Sequence, residues 1–268
     1  MSLRITQNIE ALNATRNLQS SSMKITKSME KLSSGYRVNR AADDAAGLGI
    51  SESMRSQIRG IAQGQRNIQD GVSMVQTAEG NLDEVHSMLQ RIRELAVQYK
   101  NGSLDTAART SIQNEVNQLA SEISRIGAQA QFNGLPLLTG NTTVSFQVGA
   151  NDGEQISIAM ISLGQQVGST YFQLTTTGTT DLTEIDTAID NVSAQRASLG
   201  AVQNRLQYSL DNVGIYQENL VAAESRIRDV DMAEETVTLT KNQILSQAGT
   251  AMLSQANQSG QNVLGLLR

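Results

Sequence analysis

Two apolar seams set the main constraint on what this chain can fold into. Leu82, Val85, Leu89, Ile92, Ala96 and Tyr99 fall three, four, three, four and three apart, and Ile112, Val116, Leu119, Ile123 and Ile126 repeat the pattern after a short break. That spacing gathers the apolar side chains on one stripe of an α-helix and leaves the rest of each turn to solvent or to a partner. Asn101-Gly102 lies between the seams as a turn, and Ser103 or Asp105 is placed to cap the second helix. A turn this short predicts an antiparallel helix pair. Ile185, Ile189, Val192, Leu199, Leu206, Leu210, Val213 and Leu220 keep a third heptad frame, interrupted by Arg196, Gln203 and Gln217. Asp181 and Glu184 open it in the form of a capping box, and the helix is expected to lie against the first two.

The first seam belongs to a helix predicted from about Asp44 to Tyr99. Its first half carries Gly47, Gly49, Gly60, Gly64, Gly71 and Gly80. Each glycine costs about 1 kcal/mol relative to alanine in a helix, so packing must hold this stretch, with close backbone approach to neighbours as the use of the glycines. After Gly127 the helical period stops at Phe132-Asn133-Gly134 and Pro136, the one proline. Val144, Phe146 and Val148 then alternate, as do Ile156 and Ile158, with Asn151-Asp152-Gly153 between them as a hairpin turn. The Thr- and Gly-rich stretch up to Thr180 reads as a surface loop or a second small hairpin. Aromatic residues make up only 3% of the chain, too few for the bulky core of a compact globule and in keeping with long helices.

The two ends are helical in period but unusual in chemistry. Ile5, Ile9 and Leu12 recur four and three apart, and Leu18, Ile25, Met29 and Leu32 continue in a shifted frame up to Gly35, a C-cap candidate before the linker Ser33 to Arg40. Asn242 to Leu267 contains no Asp, Glu, Lys or Arg. Its apolar residues Ile244, Ala248 and Ala251, with Leu245 and Met252 beside them, are spaced for a helix, and the rest of each turn is Gln, Asn, Ser and Gly. Ordering a residue costs roughly 1–2 kcal/mol and burying a leucine returns about 1.5–3 kcal/mol. Leu245, Leu253, Leu264, Leu266 and Leu267 cannot offset a helix of that length alone, so other protein is expected to cover it. Met1 to Arg40 is basic, while the stretch from Asp229 carries Asp229, Asp231, Glu234 and Glu235 against Lys241 and Arg268. The plan is therefore a palindrome of terminal helix, linker, long helices, β insertion, returning helix, linker and terminal helix. Opposite charges and apolar stripes at the two ends are expected to pair.

Little in the sequence points to chemistry. Cysteine is absent and His86 is the single histidine, which excludes thiol chemistry and leaves a triad or histidine metal site at most one candidate. No HExxH, phosphate-loop, GxSxG or dinucleotide pattern occurs. Asp43-Asp44 and Asp229-Asp231 read as helix caps or ion-pair partners. The basic N-terminus has one aromatic residue, Tyr36, and no clustered run of Lys or Arg, which argues against nucleic acid. Gln243, Gln247, Gln255, Gln258 and Gln261 argue against a membrane span in the tail. No catalytic, cofactor-binding or metal-ligating residue is expected, and no cleavable signal is visible in Met1 to Leu12.

Particular runs carry a resemblance. EKLSSGYRVNR (Glu30 to Arg40), DDAAGLGIS (Asp43 to Ser51), LQRIRELAVQ (Leu89 to Gln98), QFNG (Gln131 to Gly134), FQVGA (Phe146 to Ala150), LGAVQNRL (Leu199 to Leu206), ENLVAAESRIRDVD (Glu218 to Asp231) and NVLGLLR (Asn262 to Arg268) resemble bacterial flagellin, in order, over nearly the whole chain. The resemblance implies a mainly α fold: a long antiparallel helical rod with a small β-hairpin insertion and the N- and C-terminal helices paired at one end. It implies a D0 helix and linker at 1–42, a D1 rod at 43–228 with its β-hairpin region near 138–180, and a C-terminal D0 helix at 229–268. The larger outer domains of other flagellins have no counterpart here. The implied function is the structural subunit of the flagellar filament, a helical homopolymer for swimming motility, extracellular, exported unfolded and assembled at the distal tip. Implied partners are further copies of the chain, cap and junction proteins, an export chaperone and, for the free monomer, the vertebrate receptor TLR5. By this resemblance Arg91, Leu95 and Glu115 form a receptor or inter-subunit surface. Ile5, Ile9, Leu12, Ile244, Leu245, Leu264, Leu266 and Leu267 form a D0 polymerisation core, and the last three also resemble the part read by intracellular immune sensors. A hook–filament junction protein shares such termini and is the alternative.

Overall fold

The computed structural model describes residues 8–140, 143–160, 162–166, 174 and 181–266, with the α6 side chains described as far as Gln258. Among the described residues, six helices and four short strands follow in chain order: α1 (Ile9–Ser34), α2 (Ala45–Tyr99), α3 (Thr106–Gln129), β1 (Gln131–Phe132), β2 (Leu135–Pro136), β3 (Thr143–Gln147), β4 (Gln155–Ala159), a single turn α4 (Leu163–Gln166), α5 (Asp181–Arg228) and α6 (Met232–Leu266). The Thr-rich stretch before Asp181 lies almost wholly outside the described residues. The chain divides into two compact units, one of residues 1–56 and 219–268, the other of 57–218.

The second unit holds the two seams. Leu82, Val85, Leu89, Ile92 and Ala96 of α2 are fully buried, as are Val116 and Ile123 of α3 and Ile185, Val192 and Leu206 of α5. Asp105 caps α3 by accepting from the Ala108 amide at 2.7 Å, one of the two caps the sequence offered. Helices α2 and α5 run antiparallel, as cross-helix ion pairs show: Asp83 meets Arg196 at 3.0 Å, Arg93 meets Asp186, and Lys100 meets Asp181 at 3.8 Å.

Beyond α3 the chain makes a tight hairpin, with Phe132 opposite Leu135. Asn133 and Gly134 turn it with φ of 49° and 78°, the left-handed pair that a two-residue hairpin needs. The alternation of Val144 and Phe146 with Ile156 and Ile158 becomes an antiparallel ladder from Thr143 opposite Ala159 to Gln147 opposite Gln155. Ile156 and Ile158 are its buried face. The hairpin is seated on α2 along a track of small residues. A Cβ at Gly60 would stand 2.9 Å from the Ala150 Cβ, and one at Gly64 only 2.5 Å from the Val148 carbonyl oxygen. One turn beyond Gly64, Asn67 donates to the Gln147 carbonyl at 2.9 Å. Two of the glycines thus admit the turn that follows β3 against the helix, and one side chain bonds the end of that strand there.

In the first unit, Asn8 accepts from the Ala11 amide at 3.0 Å and starts α1, and Gly35 ends it at φ 74° with its amide on the Lys31 carbonyl. Asp44 starts α2 through the Gly47 amide at 2.9 Å. Asp231 starts α6 through the Ala233 and Glu234 amides at 2.9 and 3.2 Å. Asp43, the remaining acid of its pair, binds Lys27 at 2.8 Å. These acids work as caps and ion-pair partners.

Candidate assembly and recognition surfaces

Helices α1 and α6 pack along their length. They run antiparallel: Asn8 donates to the Ala256 carbonyl at 2.8 Å, Gly249 faces Leu18, and Lys31 reaches Glu235 at 3.5 Å. The last contact realises the expected pairing of a basic with an acidic end. The apolar stripes pair differently from the expectation. On α1 a covered row runs through Ala11, Ala14, Leu18, Ser21, Ile25, Ser28 and Leu32, and on α6 through Leu239, Asn242, Ser246, Gly249, Leu253 and Ala256. Both sets alternate three and four apart, so the contact is a heptad seam. Small and polar residues fill much of it, with Ser28 and Asn242 buried at 3% and 7% exposure. They let the helices approach closely while giving little apolar burial.

Many large apolar side chains of the pair point away from this seam. Ile9 and Leu12 are 51% and 60% exposed, and Ile244 and Leu245 60% and 48%. Met23, Met29, Val237 and Met252 are exposed too. The stripe Ile244, Ala248 and Ala251 therefore faces outward. Val237, Thr240, Lys241, Ile244 and Leu245 line a shallow, largely apolar groove on α6. Of the other positions in the expected core, Ile5 and Leu267 lie outside the described residues, and Leu264 and Leu266 belong to α6 beyond its described side chains.

The linkers on either side of this pair are joined. Tyr36 forms a β-bridge with Asp229. The Arg37 amide donates to the Arg228 carbonyl at 2.7 Å, and the Val230 amide to the Gly35 carbonyl at 3.0 Å. Arg37 Nη2 caps the end of α5 by donating to the Ile227 carbonyl at 2.7 Å. Arg228 lies 4.8 Å from the Tyr36 ring centre and binds Glu52 at 2.6 Å, holding the Glu52 carboxyl below its ordinary range. Nothing in the local sequence signals this node, because Glu52 and Arg228 are 176 residues apart.

A second surface lies on α2 and α3. Arg91 donates to Glu115 from Nε and Nη2 at 3.1 and 3.0 Å and to Glu94 from Nη1 at 3.0 Å. Glu115 first, then Glu94, hold the guanidinium more firmly protonated than an isolated one. All three side chains are exposed, so this is a presented charge cluster worth little to stability. Leu95 does not share that exposure. It is 2% exposed within the core, one turn along α2 from Arg91 and on the inward side of the heptad. Its side chain holds the helices together beneath the surface that Arg91 and Glu115 present. His86 bonds Gln90 on its own helix. Among the described residues no cluster of acidic groups and histidine could hold a metal ion, and no helix is long and apolar enough to cross a membrane.

Comparison with known proteins agrees with this arrangement. Residues 5–143 match the family described as the bacterial flagellin N-terminal helical region, and residues 182–267 its C-terminal helical region. The flagellin of Bacillus subtilis strain 168 is 47% identical over 304 aligned residues, covering 99% of this chain and 100% of that one. The flagellin of Halalkalibacterium halodurans is 50% identical over 272, covering 98% and 99%. A flagellar filament 33 kDa core protein of Treponema phagedenis is 48% identical over 284, with the same coverage of 98% and 99%. Among solved structures, the Bacillus cereus flagellin superposes with a TM-score of 0.51 at 30% identity, covering 55% of this chain and 88% of that one. A structure described as a flagellar hook-associated protein from Vibrio parahaemolyticus reaches 0.58 at 16% identity over 70% of this chain and all of that one, a likeness of fold alone. With both helical regions matched and near-half identity over almost its full length, the chain belongs to the bacterial flagellin family.

Proposed function

We propose that this flagellin is a structural subunit of the flagellar filament and polymerises with copies of itself. The observation that carries the reading is the outward apolar face of the α1–α6 pair, where Leu12, Val237, Ile244 and Met252 are each 60% exposed or more. A helix pair whose own seam is small or polar at most positions, and which turns many further large apolar residues outward, gains added burial from neighbouring molecules. The hook–filament junction alternative, raised by its similar termini, is not favoured, since the near-half identity over almost the full length is to flagellins.

In finer detail, residues 1–42 and 229–268 act as the D0 element and 43–228 as the D1 element. Ile9, Leu12, Ile244 and Leu245, with Ile5, Leu264, Leu266 and Leu267, form the polymerisation contact. Cap and junction proteins and an export chaperone are the further partners, and assembly takes place outside the cell. The Arg91–Glu115 cluster is the surface that a receptor such as TLR5 reads on the free monomer, with Leu95 fixing the helices below it.

The test is seeded polymerisation of Ile244→Asp combined with Leu245→Asp, followed by light scattering and electron microscopy. Circular dichroism and thermal unfolding stay as in the parent chain, and filaments do not form. Filaments of normal length from this variant would overturn the reading.

A further inference from the structure

We propose that Arg228 is a positioning residue that sets the register of the α1–α6 pair, through the linker node rather than through the helix seam itself. This deepens the filament reading, on which only its consequence for assembly rests.

The seam is poorly suited to fixing its own register. Leu18, Ile25 and Leu32 recur at seven-residue intervals on α1, and Leu239, Ser246 and Leu253 do so on α6. A slide of one heptad would therefore return large residues of α1 to positions opposite much the same row, losing contacts only at the ends. The remaining covered positions, Ala11, Ala14, Ser21, Ser28, Gly249 and Ala256, have little volume with which to interlock. Buried Asn242 donates to the Thr238 carbonyl of its own helix at 2.9 Å, a bond that travels with the helix.

The node is specific where the seam is not. Arg228 is anchored through three groups at once: its carbonyl accepts the Arg37 amide, its guanidinium stacks on Tyr36, and its Nη1 binds Glu52. Its side chain is only 11% exposed. The fork and ring are not satisfied after a slide of one heptad, because the residues seven positions from Tyr36, Met29 and Asp43, bring no aromatic face. From the bridge of Tyr36 with Asp229, α1 runs back and α6 runs forward at a nearly constant offset. Lys31 meets Glu235, Leu18 meets Gly249, and Asn8 meets Ala256. Fixing the bridge fixes every later rung, and so decides which side chains the pair presents to neighbouring molecules.

Absence of native cysteine makes the register directly readable. A Cβ at position 249 would lie 3.8 Å from the Leu18 Cβ, within the span of a disulfide. Leu18→Cys with Gly249→Cys therefore reports the native register, and Ile25→Cys or Ala11→Cys with Gly249→Cys reports a slip of one heptad either way. Full-length chains are oxidised mildly, both free and after seeding, and cross-links are quantified by peptide mass. Arg228→Gln is expected to lower the ratio of native to slipped cross-link on the order of tenfold, as loss of one cation–π contact and one charge-assisted bond implies. Tyr36→Leu, which keeps the ion pair, shifts the ratio in the same direction by less. A variant that merely loosened the pair would lower both yields together. An unchanged ratio in both variants overturns the proposal. A parent chain that cross-links natively but never polymerises would instead fail the filament reading and leave the register result intact.

Discussion

Gly64 and Gly80 lie on the same helix, and the structure gives their replacement opposite signs. In an exposed helix interior alanine is favoured over glycine by about 1 kcal/mol. A Cβ at Gly80 meets nothing within 4 Å, so Gly80→Ala is expected to stabilise by roughly that amount. A Cβ at Gly64 would stand 2.5 Å from the Val148 carbonyl oxygen and 2.8 Å from its carbon. Backbone cannot rotate aside as a side chain does. The hairpin must lift from α2, at a cost of about 1–3 kcal/mol for overpacking, and the Asn67 bond to Gln147 at 2.9 Å weakens with it, adding about 1 kcal/mol. Set against the propensity gain, Gly64→Ala is expected to destabilise by about 2 kcal/mol. Urea unfolding followed by circular dichroism reads both variants against the parent chain, with unchanged m-values showing that the transition is the same. If Gly64→Ala stabilises as Gly80→Ala does, the hairpin does not rest on that helix and the reasoning about the glycine track is wrong.

Other consequences follow from burial and charge. Leu89→Ala empties a fully buried seam position and is expected to cost about 2–5 kcal/mol in the same assay. Glu115→Gln removes an exposed partner of Arg91 and should change stability by less than about 1 kcal/mol, with part of the salt dependence lost; a loss of several kcal/mol would show that the cluster is structural. Acid should destabilise the first unit progressively. Lys27 lowers the Asp43 pKa from its ordinary 3.8, and Arg228 lowers that of Glu52 from 4.5. Folded values below unfolded ones mean that their contribution is complete above the unfolded range and is lost as pH falls through the folded values. Asp43→Asn and Glu52→Gln should flatten that acid limb, read by circular dichroism from neutral pH downward, and leave its slope near neutrality alone.

The long helices were legible because their apolar residues recur with one period over several heptads, as at Leu82 to Tyr99 and Ile112 to Ile126. The caps at Asp44 and Asp105 and the Asn151 to Gly153 turn were legible from local turn chemistry. The α1–α6 contact face was not, since counting apolar residues selects Ile9, Leu12, Ile244 and Leu245 and passes over Ser28 and Asn242, which are the buried ones. The covered row on α6 does keep a heptad period, and a search for small residues at that spacing could have found it. Leu95 is 2% exposed while Arg91, one turn before it, is exposed, a difference that the short run holding both does not signal. The glycines of α2 signalled a close approach without naming the hairpin that makes it, and the Arg228 node needs three segments brought together by the fold.

The outward apolar face of α1 and α6 is expected to become buried when copies of this chain assemble. The most direct test is amide hydrogen exchange on the free chain and on seeded polymer, with electron microscopy of the same samples. Filaments are expected, with protection gained chiefly in α1 and α6 and little change across Leu82 to Tyr99. Filaments whose terminal helices exchange as fast as in the free chain would contradict this burial.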